Sequence, residues 1–508
     1  MTTVKLDGRS LTLQDVENVA RKGYKVEITP EAKKLITECA DSIQEWVKEG
    51  RVVYGITTGF GDLASVSIPR EKCTKLQENL LLSHSCGFGE PYPEDIVRAI
   101  MLLRINTLTR GFSGISLATL QQMVDYLNLG IIPVVPELGS VGASGDLCPL
   151  SHIAITLIGE GYVTYQGKTM PVTEALDKVG MKPVHLQPKE GLALNNGTTV
   201  MTAVAALCMV DAVKMMKNAD IAASMSAEAL HAVPYAFDRR THDLRPHVGQ
   251  GTVAENMRRL IEGSEIIEAY KKDRVQDAYS LRCLPQVNGA CRDAINYVMD
   301  KVNIEINSVT DNPIVFHKDG EAISGGNFHG EPMAMAMDFF GIAAAEFASI
   351  AERRVARMVD HKLSDLPPFL VSDSGVNSGF MIPQYTAAAI VSENKTLAHP
   401  SVVDSIPTSA NQEDHVSMGG YSARKGRNIL DNTNRVIAIE MLNAAQGMDF
   451  RAPLKPGKGS GAAYREFRKH VPFYEKDQFM QPLMLDSLKL VKDGTIIDAV
   501  EQEIGAIK

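Results

Sequence analysis

The chain has 508 residues, with 52 Lys and Arg against 61 Asp and Glu, and a formal net charge of −9. Hydrophobic residues make up 44% and charged residues 22% of the sequence, a balance that excludes wholesale disorder. The mild acidity and the lack of a dense Lys/Arg block argue against a nucleic-acid partner. A chain this long predicts about two to four domains or one large helical body.

The sequence shows no pattern typical of a membrane or secreted protein. No unbroken apolar run reaches the roughly 18 residues that a membrane span requires, and the N-terminus lacks the order of a secretory signal. The seven cysteines are scattered and contain no Cys-x-x-Cys pair, which argues against a disulfide scaffold and a zinc site. We therefore expect a cytoplasmic protein with no membrane partner.

Short elements and loops dominate the N-terminal part. The stretch 25–28 predicts a strand, Thr29-Pro30 predicts a helix start, and apolar residues at helical spacing predict a helix over 94–109. The stretch 161–172 predicts further strand structure around a Tyr-Gln-Gly-Lys turn. We interpret residues 1–198 as a loop-rich, mixed active-site region, because loops on a rigid scaffold commonly carry chemistry. Glycine-rich stretches interrupt the predicted helical segments at 53–61, 139–150, 191–198 and 324–330.

Long helical patterns fill the rest of the chain, over 199–217, 332–360 and 422–445. A pattern near 30 residues that is apolar nearly all round predicts a buried helix in a bundle, shared between subunits of a homo-oligomer. The expected fold is therefore mostly α, with a long central helical bundle over 199–452. A C-terminal helical segment, 453–508, would begin with a surface linker over 453–461.

Familiar site motifs are weak in this sequence. Gly59, Gly61 and Ala64 have the spacing of a dinucleotide fingerprint, but their surroundings are helical rather than a parallel sheet. Ser144 lacks the Gly-x-Ser-x-Gly context of a serine hydrolase, and no His-Glu-x-x-His is present. Neither a nucleotide, a serine-hydrolase nor a metal-hydrolase site is indicated.

The tripeptide Ala143-Ser144-Gly145 allows two interpretations. Glycine has no Cβ, so its nitrogen can closely approach a carbonyl. If the Gly145 nitrogen attacked the Ala143 carbonyl, a five-membered ring would close. Loss of water, including the Ser144 hydroxyl, would then leave an electrophilic methylene. The alternative is a tight Ser-Gly-Asp turn, which the local sequence alone favours.

The stretch 143–147 is one of several strings, in matching order, by which nearly the whole chain, from about residue 5 to 500, resembles the aromatic amino-acid ammonia-lyases. In that family Ala-Ser-Gly cyclises by itself into 4-methylidene-imidazole-5-one (MIO). The resemblance implies that Ala143, Ser144 and Gly145 form this group, whose methylene takes up the substrate amine. The other matching strings are YGITTGFG at 54–61, RGFSG at 110–114, EGLAL at 190–194, QD at 276–277 with YSLRC at 279–283, SGGNFH at 324–329 and NQEDH at 411–415.

The resemblance also implies roles for single residues. Tyr54 would remove the β-proton, and Asn196 would polarise the MIO carbonyl or hold the amine. Arg282 would bind the substrate carboxylate through a two-pronged pair that lysine cannot copy. The alternatives are a packed aromatic for Tyr54 and a structural ion pair for Arg282. Tyr279, Gln276 and Phe328 would flank the group.

Two strings resemble those of the histidine-specific members, Ser83-His84 and 412–415. Glu413 could accept an imidazole N–H and stabilise its partial positive charge, although an acid at a helix N-terminus is the alternative. With His84 and Glu413 as imidazole contacts, the resemblance implies elimination of ammonia from L-histidine to trans-urocanate, the first step of histidine degradation. It further implies a homotetramer whose active sites draw residues from several subunits, without metal, PLP or nucleotide.

Three residues depart from the family pattern: Asn195 replaces an aliphatic residue, Leu284 a glutamine and Cys148 an alanine. Asn195 could narrow or rehydrate the pocket, which leaves exclusive histidine preference open. The alternatives are a lyase or 2,3-aminomutase acting on tyrosine or another aromatic amino acid, and a non-catalytic helical assembly that kept the scaffold.

Overall fold

The structure, a computed structural model, describes residues 2–63 and 65–508. Ala64, the last member of the glycine pattern considered above, lies outside these residues. The chain forms two compact units that interleave along the sequence, whereas the three predicted segments are continuous; that division stays a prediction. The first unit comprises Met1–Val210, Met299–Asp338 and Pro400–Arg424, and the second comprises Asp211–Val298, Phe339–His399 and Lys425–Lys508.

Short helices and strands alternate over the first 198 residues. Strand β1 pairs in parallel with β2, β3 pairs with β5, and β6 lies between β4 and β7 in antiparallel order. The elements are β1 (Thr3–Leu6), α1 (Leu13–Arg21), β2 (Lys25–Ile28), α2 (Pro30–Lys48), α3 (Cys73–His84), β3 (Phe88–Pro91), α4 (Glu94–Leu108), α5 (Leu117–Leu129), β4 (Ile132–Pro133), β5 (Pro136–Leu138), α6 (Leu147–Leu157), β6 (Tyr162–Tyr165), β7 (Lys168–Pro171), α7 (Val172–Val179) and α8 (Glu190–Asn195).

Helices dominate the remainder, and the prediction of a mostly α fold is confirmed. The one sheet described there is the antiparallel pair β8 and β9. The elements are α9 (Thr199–Ala229), α10 (Arg239–Asp243), α11 (Val248–Leu260), α12 (Glu265–Tyr270), α13 (Tyr279–Arg282), α14 (Leu284–Glu305), β8 (Ile314–Phe316), β9 (Glu321–Ile323), α15 (Glu331–Val359), α16 (His361–Ser364), α17 (Met381–Leu397), α18 (Gly419–Asp449), α19 (Lys458–His470), α20 (Gln481–Asp493) and α21 (Thr495–Ile504).

Several element starts follow directly from local sequence. Helix α2 begins at Pro30, and the Thr29 hydroxyl accepts a hydrogen bond from the Ala32 N–H at 3.3 Å, as expected of an N-cap followed by proline. The predicted turn between β6 and β7 falls at Gln166-Gly167, where both residues have positive φ. These predictions are confirmed.

Helix α4 is the centre of the first unit, since every residue from Ile96 to Leu108 is buried. Its polar residues therefore need internal partners. The Asn106 amide donates to the Ile306 carbonyl at 2.9 Å and accepts from the Gly8 N–H at 3.1 Å. Elsewhere in this unit the fully buried Lys189 ammonium lies 2.8 Å from the Asp311 carboxylate.

The second unit is centred on a buried carboxylate of α18. Glu440 accepts from the Arg354 guanidinium at 2.5 and 2.9 Å and from the Ser226 hydroxyl at 2.7 Å. Because each oxygen is satisfied, α9, α15 and α18 are held together by a fully bonded ion pair as well as by apolar packing.

The prediction of a surface linker over 453–461 is wrong for its C-terminal part. Helix α19 begins at Lys458, and Ser460 is fully buried. The Gly457 N–H and the Ser460 hydroxyl each donate to the Glu228 carboxylate at 2.8 Å. The small residues that suggested a linker instead allow α19 to approach a buried acid closely.

Helices α9 and α15 each contain an 18-residue window that is apolar enough to cross a membrane by length and composition alone, with mean hydropathy 1.6 and 1.4. Charged residues interrupt both windows, so neither is an unbroken apolar run. Within the fold 78% and 67% of the two windows is buried, which is typical of core helices packed on more than one side.

Replacing Lys189 tests the buried ion pair. Lys189→Met leaves the Asp311 carboxylate buried without its cation, so the free energy of unfolding should fall by about 3–5 kcal/mol. The shift of the urea midpoint measures this loss. Arg239→Met, which removes an exposed pair with Asp243, should cost less than about 1 kcal/mol; equal losses would contradict the interpretation.

Candidate active site

The tripeptide lies in a loop that a buried carboxylate ties to the start of α9. Asp146 accepts from the N–H groups of Val200 at 3.0 Å and Met201 at 2.9 Å, and from the Ser140 hydroxyl at 2.8 Å. Burial raises the pKa of Asp146 to about 6, while these three donors act in the opposite direction. The N-terminus of a long helix thus faces the loop and favours negative charge there.

Gly145 packs directly on the backbone of Gly197. The two residues form a parallel bridge, and the Asp146 N–H donates to the Gly197 carbonyl at 2.7 Å. Gly145 has φ of +71°, and a Cβ at this position would overlap the Gly197 carbonyl. Only glycine satisfies both the conformation and the close approach.

The opposite side of the loop is held by the residues before α18. The Ser417 hydroxyl donates to the Gly142 carbonyl at 3.0 Å, and the Met418 N–H donates to the Val141 carbonyl at 2.8 Å. The tripeptide is therefore fixed from two directions. Such fixation keeps neighbouring backbone groups in one orientation, as covalent chemistry between them requires.

Asn196 contacts the tripeptide directly. Its side-chain amide donates to the Ser144 carbonyl at 3.1 Å, and its Oδ1 is buried and without a partner among the described residues. Asn195 is also buried, but its amide donates to the Ser151 hydroxyl at 3.1 Å on α6. Because Asn195 is not among the described residues that line the cavity, it does not narrow that cavity directly.

A cavity of about 810 Å³ opens over the tripeptide within the first unit. It brings together seven of the residues that the sequence singled out, from six separate regions of the chain. A cavity of this size is in the range of small-molecule sites. The seven residues are Tyr54, His84, Ala143, Ser144, Asn196, Phe328 and Glu413.

Glu413 lies against the tripeptide and is oriented by a second hydroxyl. The Ser144 hydroxyl donates to Glu413 Oε1 at 3.2 Å, and the Thr408 hydroxyl donates to Oε2 at 2.7 Å. Glu413 stands in a loop before α18, which begins at Gly419, so the helix-terminus interpretation does not apply. Sequence analysis missed Thr408, since nothing local marks a threonine five residues before an acid as its partner.

His84 ends α3 at the wall of the cavity. The Ser83 hydroxyl lies 3.0 Å from its Nδ1. Burial lowers the pKa of His84, and the negative charge of Glu413 acts in the opposite direction. The imidazole is therefore neutral at neutral pH and offers one donor and one acceptor.

Tyr54 reaches the cavity from a tight loop. Its hydroxyl oxygen accepts a hydrogen bond from the Gly61 N–H at 3.1 Å. Gly55 beside it has φ of +67°, and a Cβ there would overlap the Leu192 side chain. The loop thus packs on α8, and the hydrogen bond from the Gly61 N–H fixes the position of the Tyr54 hydroxyl.

Gln276, Tyr279 and Arg282 belong to the second unit, and none of them is among the described residues that line this cavity. Tyr279 is 71% exposed. The Arg282 guanidinium lies 4.7 Å from the Tyr279 ring centroid, and its Nε donates to the Asp277 carbonyl at 2.9 Å. These contacts are not the structural ion pair considered as the alternative role for Arg282.

Across residues 2–63 and 65–508, no group of three or more His, Cys, Asp or Glu side chains is arranged to hold a metal ion.

Comparison with known proteins gives one consistent family. The model of the family described as aromatic amino acid lyase matches residues 11–469. The chain is 52% identical over 504 residues to histidine ammonia-lyase from Alkaliphilus oremlandii, with 99% of each chain covered. It is similar to the crystal structure of histidine ammonia-lyase from Trypanosoma cruzi (TM-score 0.92, 41% identity, 99% and 96% coverage). It is also similar to tyrosine aminomutase from Streptomyces globisporus (TM-score 0.95, 37% identity, 100% of both chains).

Proposed function

The chain belongs to the aromatic amino acid lyase family, and we propose that it removes ammonia from L-histidine to give trans-urocanate. It is an ammonia-lyase, which cleaves a carbon–nitrogen bond. The observation that carries the histidine proposal is the Glu413 carboxylate, held 3.2 Å from the Ser144 hydroxyl beside His84. An acid in this place can recognise an imidazole, whereas a phenyl ring gives it no partner.

The residues at the tripeptide fit the MIO group that the family uses. Gly145 takes the conformation that brings its backbone close to neighbouring groups, and Asn196 donates to the carbonyl of Ser144. The Oδ1 of Asn196 is buried and has no partner among the described residues, so it can accept a hydrogen bond from an amine. When formed from Ala143, Ser144 and Gly145, the group supplies an electrophilic methylene to the substrate amine.

The proton-transfer role falls to Tyr54. Tyr54 lines the cavity with Ser144, and the hydrogen bond from the Gly61 N–H holds its hydroxyl oxygen in place, as proton transfer from a bound substrate requires. In this proposal Tyr54 removes the β-proton of the substrate, Asn196 holds the leaving amine, and Phe328 packs beside the reacting group.

Recognition of the imidazole is assigned to His84 and Glu413. Glu413 accepts an N–H from the substrate ring, and Thr408 holds the carboxylate in the orientation that this requires. His84, neutral at neutral pH, contacts the other side of the substrate ring through its imidazole.

A second copy of the chain completes the site in this proposal. Arg282 binds the substrate carboxylate, with Tyr279 and Gln276 beside it, and all three come from a neighbouring subunit of a homotetramer. Large exposed apolar side chains support an assembly, since such side chains are commonly covered at protein interfaces. They include Val275 (97% exposed), Tyr279, Ile382 and Tyr385. The proposed compartment is the cytoplasm, and the absence of disulfides among the described cysteines is consistent with it.

The alternative is a lyase or 2,3-aminomutase acting on tyrosine, which the likeness to tyrosine aminomutase favours. An aminomutase would return ammonia to the β carbon of the unsaturated acid. Incubation with L-histidine and with L-tyrosine, followed by identification of the products, separates the two. Formation of urocanate supports the proposal, and a product from tyrosine alone overturns it.

Ser144→Ala tests the electrophile. Wild-type protein should have an intact mass two waters below that of its sequence, and Ser144→Ala should not lose the water that the hydroxyl supplies. Turnover should be abolished while the circular dichroism spectrum stays unchanged, because only one part-buried hydroxyl at the cavity is removed from the fold. Full activity in the variant would contradict the mechanism.

Glu413→Gln tests imidazole recognition. The variant keeps the shape of the side chain but loses the charge-assisted hydrogen bond, so kcat/KM for histidine should fall by about 10–100-fold. The residual rate with tyrosine or phenylalanine, if measurable, should change far less. Asp414→Asn, at the neighbouring acid, is the matched control; equal losses for all amino acids would remove the proposed role of Glu413.

Mixing two inactive variants tests the shared site. Ser144→Ala and Arg282→Met should each be nearly inactive, whereas mixed assemblies should regain up to about a quarter of wild-type activity, the statistical share of sites with both groups intact. Regain is measured after co-expression and compared with each variant alone. If Arg282 acts within its own chain, no mixture recovers activity.

A further inference from the structure

A cation lies buried behind the tripeptide. Arg104 on α4 is fully buried; its Nη2 donates to the Ala193 carbonyl, and its Nε and Nη1 have no partner among the described residues. A buried guanidinium with unused donors is costly, since both desolvation and lost hydrogen bonds oppose it. Groups retained in this state are concentrated at functional sites.

The guanidinium lies directly against the backbone that supports the tripeptide. A Cβ built on Gly197 would be 2.7 Å from Arg104 Nη1, so the two groups are in contact. On its other side Gly197 forms the bridge to Gly145 and accepts from the Asp146 N–H. One residue, Gly197, therefore separates the Arg104 charge from the ring-forming glycine.

The same contact fixes the segment that carries Asn196. Arg104 binds the carbonyl of Ala193 and touches Gly197, which together bracket Asn196. The Thr310 hydroxyl is also 2.7 Å from the Cβ position on Gly197. It has no hydrogen-bond partner among the described residues, so a second polar group faces Gly197 from the same side as Arg104. Movement of Arg104 would change where the Asn196 amide meets the Ser144 carbonyl.

The charge of Arg104 is only partly compensated. Asp311 acts on Arg104, but this carboxylate already pairs with Lys189 at 2.8 Å. Two cations thus share one acid. Burial lowers the pKa of Arg104 to about 10, so the guanidinium remains charged at neutral pH and contributes positive potential beneath Gly197 and Gly145.

We propose that Arg104 is a positioning residue for the active site. It holds the 193–197 turn so that Gly145 stays against Gly197 and Asn196 stays on the Ser144 carbonyl. Its charge also favours negative charge on the tripeptide oxygens, as a fixed dipole or cation in a low-dielectric site does. The inference rests on the proposed function, because it assigns Arg104 to ring formation and to turnover by the same site.

Lysine cannot replace arginine here. The guanidinium spans the Ala193 carbonyl and the face of Gly197 with one rigid plane, whereas an ammonium is a single point charge on a flexible stem. Arg104→Lys keeps the positive charge but cannot contact the Ala193 carbonyl and Gly197 at the same time. Arg104→Met keeps much of the side-chain volume but loses the charge and both contacts. Arg98→Met is the matched control, because Arg98 is buried on the same helix and also binds backbone carbonyls, those of Val19 and Leu127.

The experiment measures intact mass, circular dichroism, kcat and KM for wild type and the three variants. Arg104→Met should contain less of the protein that has lost two waters, and its kcat per folded molecule should fall about 100-fold with KM within about threefold, as misplacement of catalytic groups predicts. Arg104→Lys should be intermediate in both readouts. Arg98→Met should show the full loss of two waters in its intact mass and a wild-type kcat.

The inference is overturned if Arg104→Met has lost both waters and retains wild-type kcat per folded molecule. If Arg104→Met does not fold, the same result for Arg104→Lys overturns it. It is also overturned if Arg98→Met shows the same losses, since the effect would then be one of core stability. A wild-type protein that loses no water and produces no urocanate would instead refute the proposed function. The two failures are therefore distinguishable.

Discussion

The close approach of two backbones, at Gly145 and Gly197, is the constraint on which the active site depends. Neither position has room for a side chain: a Cβ on Gly145 would overlap the Gly197 carbonyl, and one on Gly197 would press on Arg104 and Thr310. The Asp146 N–H closes the contact with a 2.7 Å hydrogen bond. The hydrogen bonds of the Asp146 carboxylate to Val200 and Met201 hold the two backbones in this contact.

Charge is distributed around this contact in a consistent way. The Asp146 carboxylate occupies the N-terminus of α9, the Arg104 guanidinium lies behind Gly197, and the Glu413 carboxylate stands on the cavity side. One cation therefore lies behind Gly197, and a carboxylate faces the space for the substrate. In a buried site such fixed charges act more strongly than in water, so the fold prepares the loop for chemistry before any substrate arrives.

The cavity over the tripeptide and the segment around Arg282 raise a separate question of assembly. The cavity contains the groups proposed to form the electrophile, to act as the base and to contact the imidazole, all from the first unit. Tyr279 is largely exposed, and the described contacts of Arg282 are to its own segment. Exposed aromatic and arginine side chains are typical of interface centres, which is why the proposed site draws these residues from another copy.

The sequence by itself determined the local elements, and its resemblance to a family of lyases singled out the tripeptide proposed to react. Helix starts such as Thr29-Pro30 and turns such as Gln166-Gly167 depend on neighbouring residues only, so they could be predicted. The tertiary structure alone decided which distant side chains meet: Thr408 on Glu413, Arg104 behind Gly197, and the small residues of α19 on Glu228. These contacts form when packing removes water from polar groups that must then find partners, and no local pattern records which partner lies within reach.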